Sequence, residues 1–362
     1  MKPLNKEILK LAVPSILANI TVATVGMADI AIAGHIEGIS LAGGGSGAAA
    51  LIGGITIGSM IFDLLYWNFG FLRTGTGGLT AQAFGRGDKR ESADILSRAV
   101  GISLISGVAL IALQWILLNL VFMFLHCSPE VRLFASDYFF IRIWAAPATL
   151  SLLSFKGWFI GMQDGVNPMI TDLIVNIVNI VASIALAMGV HIGDFSWEGI
   201  GYKGIALGTV IAQYCGLLFA LIVIFARYRK RLFVGYSLSD AAGALKEKSG
   251  GEFFKLNIDL FIRSICFIII YIGYTVIASN YGDMAIACSA IMMKLLLLFS
   301  YFTDGFAYAG EALTGKYIGM RDLPTTRKTV KYVFAWSFGF AVAFMIIYWF
   351  AGVPLLRIMT SD

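Results

Sequence analysis

Leu79-Thr-Ala-Gln-Ala-Phe-Gly-Arg-Gly-Asp88 recurs without gaps as Leu313-Thr-Gly-Lys-Tyr-Ile-Gly-Met-Arg-Asp322, sharing Leu, Thr, Gly and Asp at an offset of 234. Each copy closes a long apolar run and opens onto a basic cluster, so both read as exits of a span on the same side of a membrane. A second match, Glu7-Ile-Leu-Lys-Leu11 with Glu252-Phe-Phe-Lys-Leu256, has an offset of 245, and a longer Gly-rich first connection at 38–54 absorbs the difference. The second half of the chain therefore repeats the first in the same orientation. Six spans separate the copies, which places the axis relating them along the membrane normal, as in parallel-repeat transporters.

Composition agrees with that reading. Of 362 residues, 58% are hydrophobic and 14% charged, where soluble proteins carry about 25% charged residues. A span needs about 20 apolar residues, which caps the count near ten. Apolar runs between charged clusters predict nine, at 8–36, 47–72, 94–125, 133–160, 167–191, 199–226, 254–280, 284–312 and 329–351. The expected fold is an all-α polytopic membrane protein built as a parallel 6+6 helix repeat. Residues 1–227 form a first lobe, 228–252 a basic linker, and 253–362 spans seven to nine of a second lobe. On the 234 offset, the counterparts of the first lobe's last three spans are missing, so a longer parent is expected.

Lys2, Lys6, Arg86, Lys89, Arg90, Lys156, the cluster Arg227 to Arg231, Lys316, Arg321, Arg327 and Lys328 fall on one side of the predicted spans. The excess of Lys and Arg predicts a cytoplasmic N-terminus in a bacterial-type inner membrane. The net charge of +5 thus reports topology, and no nucleic-acid partner is expected. Cys127, Cys215, Cys266 and Cys288 lack CxxC spacing, and His35, His126 and His191 lack paired-ligand spacing, which argues against metal or thiol chemistry. No cofactor is expected. Gly54 and Gly58, Gly161 and Gly165, and Gly204 and Gly208 have the spacing of close helix packing.

Pro14, the Gly26-x-x-Asp29-x-x-x-x-Gly34 pattern, Asn68-Phe-Gly-Phe-Leu-Arg73 with Gly77-Gly-Leu-Thr-Ala-Gln82, and Asp304-Gly-Phe-Ala-Tyr-Ala-Gly-Glu-Ala-Leu313 resemble the MATE (multidrug and toxic compound extrusion) transporters, in particular their DinF-like branch. The resemblance covers the whole chain. It implies a secondary antiporter, expected as a monomer, that exports small organic and often cationic compounds in exchange for H+ or Na+ by alternating access.

Ionisable groups inside spans are the candidates for coupling, because a charge at bilayer depth persists only where something compensates it. Asp29 comes first, and the resemblance assigns it the family's first-helix acid, where a proton or Na+ would bind. Asn176, Asn179 and Ser183 share a face of span five. Ser183 stands where many relatives carry an acid and Val22 where some carry a polar residue, both of which thin a Na+ shell. Tyr138 and Thr209 match cavity-lining positions of relatives, and Asp63 could supply the acid that Ser183 lacks, or pair with Arg142 or Arg73. In the second half, Asp259 and Arg263, four apart, are expected to form an internal ion pair. Asp304 and Glu311 share a face suited to a cavity wall, and Lys294 needs an acid from another helix.

Two other classes fit the sequence less well. A lipid-linked oligosaccharide flippase would call for a more basic interior than Asp29, Asp63, Asp259, Asp304 and Glu311 set against Arg142, Arg263 and Lys294. An integral membrane enzyme would call for catalytic groups clustered at one membrane face, and the sequence has none.

Overall fold

The computed structural model describes residues 3–36, 47–125, 127–192, 195–233, 236, 240, 243, 250–279, 281 and 283–359. Most of the predicted linker, the centre of the Gly-rich connection, and the side chains of Val22 and Lys294 lie outside the described residues. Helix dominates: α1 (Pro3–His35), α2 (Gly47–Asn68), α3 (Gly70–Arg86), α4 (Lys89–Ala112), α5 (Gln114–Phe124), α6 (Pro129–Arg142), α7 (Ala146–Gly161), α8 (Val166–Met188), α9 (Lys203–Val223), α10 (Arg229–Leu232), α11 (Gly250–Ser279), α12 (Asp283–Gly319) and α13 (Leu323–Met359). Among the described residues the one exception to the all-α expectation is a hairpin, β1 (Val190–Ile192) and β2 (Phe195–Trp197), antiparallel with His191 opposite Ser196.

Apart from the four-residue α10, these helices overlap the nine predicted spans, with α2 and α3 sharing one, α4 and α5 another, and α6 and α7 a third. Among the described residues, six stretches are long and apolar enough to cross a membrane by length and composition, including Ala50–Arg86, Pro129–Gly161 and Leu323–Gly352. The predicted ends at 72 and 312 need correction, since helix continues to Arg86 and Gly319. Hydropathy stops at Thr74 to Gln82 and at Gly315 to Lys316, but small side chains there allow helix-on-helix burial that hydropathy does not register.

The repeated decapeptides build the same structure twice. In the first copy, Gly87 N donates to Phe84 O (3.1 Å) and Asp88 N to Ala83 O (3.0 Å). In the second, Arg321 N donates to Ile318 O and Asp322 N to Tyr317 O, both at 2.9 Å. This is the left-handed helix stop, with φ of 74° at Gly87 and 59° at Arg321. Each Asp then caps the next helix: Asp88 Oδ1 accepts from Glu91 N (2.9 Å) and Asp322 Oδ1 from Thr325 N (3.0 Å). The bonds from Thr325 hold the Asp322 carboxyl below its ordinary range. All of these positions correspond at the offset of 234, so the sequence match is a structural repeat.

Glycines set the helix spacing. A Cβ on Gly54 or Gly58 would strike Phe134 or Tyr138, joining α2 to α6, and one on Gly204 or Gly208 would strike Leu186 or Ser183, joining α8 to α9. A Cβ on Gly161 would strike Gly77 O and Thr80, and one on Gly165 would crowd Leu11. The predicted close-packing motifs thus occupy helix interfaces. One buried apolar cluster centres on Phe62, Leu72, Tyr138 and Phe139. Another joins Ile8, Leu11 and Ile16 of α1 to Phe306, Ala309 and Leu313 of α12, so the two copies share a core. Trp115, Met123, Phe334, Phe338, Trp349 and Phe350 remain exposed, as lipid-facing side chains of a membrane protein should.

Candidate functional site

Near the far end of α1, Asp29 is 6% exposed and its Oδ1 has no hydrogen-bond partner. Pro14, inside the same helix, cannot donate to the Lys10 carbonyl, which leaves α1 one bond short of a continuous ladder. Across from Asp29, α6 brings in Arg142 one turn beyond Tyr138. Arg142 Nη1 donates to Tyr138 OH (2.9 Å) and to Ser59 Oγ (3.2 Å), and Ser59 Oγ lies 3.3 Å from Tyr138 OH. The guanidinium also sits 4.9 Å above the Phe62 ring, within cation–π range. Asp29, Asp63, Tyr66 and Tyr138 all act on Arg142 electrostatically. Asp63 is exposed on α2, within electrostatic range of Arg142 and Tyr301.

The predicted stripe on α8 is buried and points toward α1 and α9. Asn176 Nδ2 donates to Thr21 Oγ1 of α1 (2.8 Å), and Asn179 Nδ2 donates to Thr209 Oγ1 of α9 (2.9 Å). Thr209 Oγ1 donates to Ile205 O at 3.2 Å, and Ser183 Oγ to the same carbonyl at 3.4 Å. Asn179 Oδ1 is buried without a partner. Ser183 is fully buried against Gly208, which leaves little room for a longer acidic side chain at that position. The stripe therefore ties α8 to both neighbours and supplies neutral oxygens rather than charge.

The second-half residues divide. Asp259 and Arg263 are both exposed on α11 and form no ion pair with each other among the described residues, so the expected pair is corrected. A spacing of four permits such a pair but does not enforce it, and Arg263 instead acts on Glu311. Asp304 Oδ2 accepts from Ser300 Oγ at 3.5 Å and acts on Arg73. Glu311 Oε2 lies 3.7 Å from Arg73 Nη1, and the Arg73 guanidinium sits 3.9 Å from the Tyr308 ring centre. Arg73 and Arg142 are the residues that sequence reasoning underweighted, treating each only as a possible partner for Asp63. The available signal for Arg142 was its spacing of four from Tyr138, which puts both on one helical face.

The chain as a whole is similar to known proteins. A family model described as MatE matches residues 14–185 and 260–362. DNA damage-inducible protein F of Escherichia coli (strain K12) is 31% identical over 358 residues, covering 99% of this chain and 73% of the relative. The probable multidrug resistance protein NorM of Thermotoga maritima is 24% identical, with 99% of this chain and 73% of the relative covered. A crystal structure of MATE in complex with MaD3S superposes with a TM-score of 0.81 at 17% identity, covering 99% of this chain and 76% of that one.

Proposed function

We propose, on the premise that this chain belongs to the MatE family of multi-pass membrane transporters, that it is an antiporter exporting small organic compounds, cationic ones among them, in exchange for H+ or Na+. As a transporter of this family it is not an enzyme. In this reading it works as a monomer in a bacterial-type inner membrane, N-terminus in the cytoplasm, with no cofactor and with H+ or Na+ as a transported substrate.

The observation that carries the proposal is Asp29: a buried carboxylate with an oxygen that no donor satisfies, opposite an arginine already engaged by Tyr138 and Ser59. An acid in that state can exchange a proton or a Na+ ion without first breaking a hydrogen bond. Filling and emptying Asp29 would rebalance the charge between α1 and α6, and Asn176 would pass a shift of α1 to α8 through Thr21. Asn179, Ser183 and Thr209 line the polar wall of the same half, and Asp63 adds a second acid at its edge. Asp304 and Glu311 supply the acidic wall of the second half.

One charge moving across 100 mV contributes ~2.3 kcal/mol, equivalent to roughly fifty-fold accumulation. The test is efflux of a fluorescent organic cation from proteoliposomes under an imposed H+ or Na+ gradient. Gradient-driven efflux is expected, and rates indifferent to both gradients would refute antiport.

A further inference from the structure

Helices α3 and α12 run parallel and touch through counterparts of the repeat. A Cβ added to Gly85 would fall on the Lys316 carbonyl and 3.1 Å from Gly319 Cα, and one on Gly319 would fall on the Gln82 carbonyl and 3.1 Å from Arg86 N. One turn in, a Cβ on Gly315 would meet Ala81 Cβ at 2.7 Å. Another turn in, the space that a Gly77 side chain would fill is taken by Glu311 Oε1, 2.5 Å from the added Cβ. Gly77 and Glu311, Ala81 and Gly315, and Gly85 and Gly319 are each separated by the repeat offset of 234. Parallel helices meeting through small residues four apart approach closely enough for dispersion to hold them.

The symmetry breaks at the inner end of this seam. Glu311 replaces a glycine, and Arg73 stands where the second copy has Ala307. The two meet at 3.7 Å, with Arg73 Nη1 and Glu311 Oε1 both buried and lacking hydrogen-bond partners. The charged and titratable groups facing Glu311 are Arg73 of α3 and Arg263 of α11, while Tyr308 and Asp304 of α12 face Arg73. A loosely coordinated ion pair at a seam of small residues holds two helices together yet can be released by removing one charge.

We propose that Glu311 is a second proton-carrying residue and that its charge controls the gate between the halves. Ionised, it holds Arg73 and keeps the α3–α12 seam shut. When a hydronium ion delivers a proton to a carboxylate oxygen, an O–H bond forms, water departs, Arg73 is left to Asp304, and the seam parts at the end carrying the Gly87–Asp88 and Arg321–Asp322 turns. This gate goes beyond the antiport reading, and its readout is independent of transport.

The experiment is an electron–electron distance measurement between spin labels on Lys89→Cys and Leu323→Cys, with Cys127, Cys215, Cys266 and Cys288 changed to Ser. Acidification should raise the ratio of long to short distances roughly tenfold in the otherwise wild-type protein. Glu311→Gln should give the long distance at every pH, and Glu311→Asp should keep the pH response. A pH-independent distance with wild-type Glu311 overturns the proposal, a result that needs no folded variant, as does a wild-type pH response in Glu311→Gln. If the distances behave as expected while neither gradient drives efflux, the gate stands and the antiport reading fails.

Discussion

Two half-buried arginines, Arg142 and Arg73, lie against aromatic rings and use their charge differently. Arg142 gives its hydrogen bonds to hydroxyls, Tyr138 and Ser59, and leaves the nearby Asp29 with an unsatisfied oxygen. Arg73 also donates to a hydroxyl, Thr74 Oγ1 at 2.9 Å, but in addition approaches an acid directly, Glu311 at 3.7 Å, and so links helices from the two repeat copies. The first arrangement holds a carboxylate available within one half. The second closes an interface between halves. An intramembrane arginine is therefore informative about function only through what it touches.

The largest expected effect comes from breaking the first arrangement. Arg142→Ala removes the countercharge from Asp29 and Asp63 at membrane depth, and gradient-driven efflux should fall roughly tenfold or more. Arg142→Lys, which keeps the charge, should recover part of it. Efflux per folded protein checks this, and unchanged efflux in Arg142→Ala would erase the distinction between the two arginines.

Breaking the second arrangement should act first on stability. Arg73→Met leaves Glu311 without its partner and should cost about 2–3 kcal/mol, at or below the low end of the range for a buried pair because both side chains retain some exposure. Adding Glu311→Leu should return thermal unfolding in detergent to within about 1 kcal/mol of wild type, since paired apolar replacement removes the stranded charge.

The repeated turns extend the comparison at smaller magnitude. Gly87 occupies its left-handed φ at little steric cost, whereas Arg321 pays for the same conformation. Arg321→Gly should be neutral to mildly stabilising, and Gly87→Arg should cost about 1 kcal/mol, read from the same unfolding curves.

The smallest effect concerns pH. The Asp322 carboxyl is held below its usual range by the bonds from Thr325, so its contribution to the α13 cap is complete above the ordinary carboxylate range. It is lost as pH falls through the lowered one. A lower protection factor at the Thr325 amide under acid, taken relative to the intrinsic exchange rate at each pH, with the protection in Asp322→Asn unchanged by pH, is the expected outcome.

The decapeptide repeat was legible as sequence because capping and left-handed turns depend on local residues, and Asp88 and Asp322 serve the same local purpose. The stripe Asn176, Asn179 and Ser183 was legible because three- and four-residue spacings define a helical face. The α3–α12 seam was not, since glycine and alanine carry little hydropathy signal and their meaning depends on which helix lies opposite. The Asp259–Arg263 pair failed for the same reason: spacing permits a contact, but the tertiary fold decides whether it forms, and it sets Arg263 within electrostatic range of Glu311. Arg142 and Arg73 gained their roles only when α1, α2 and α12 converged on them.

In the proposed antiport cycle Asp29 carries the coupling ion. Asp29→Asn retains shape and polarity while removing the titratable charge, so the chain should still fold and bind an organic cation. In proteoliposomes with an imposed ion gradient, this variant is expected to lose accumulation against the substrate's own gradient. Accumulation at the wild-type level would contradict it.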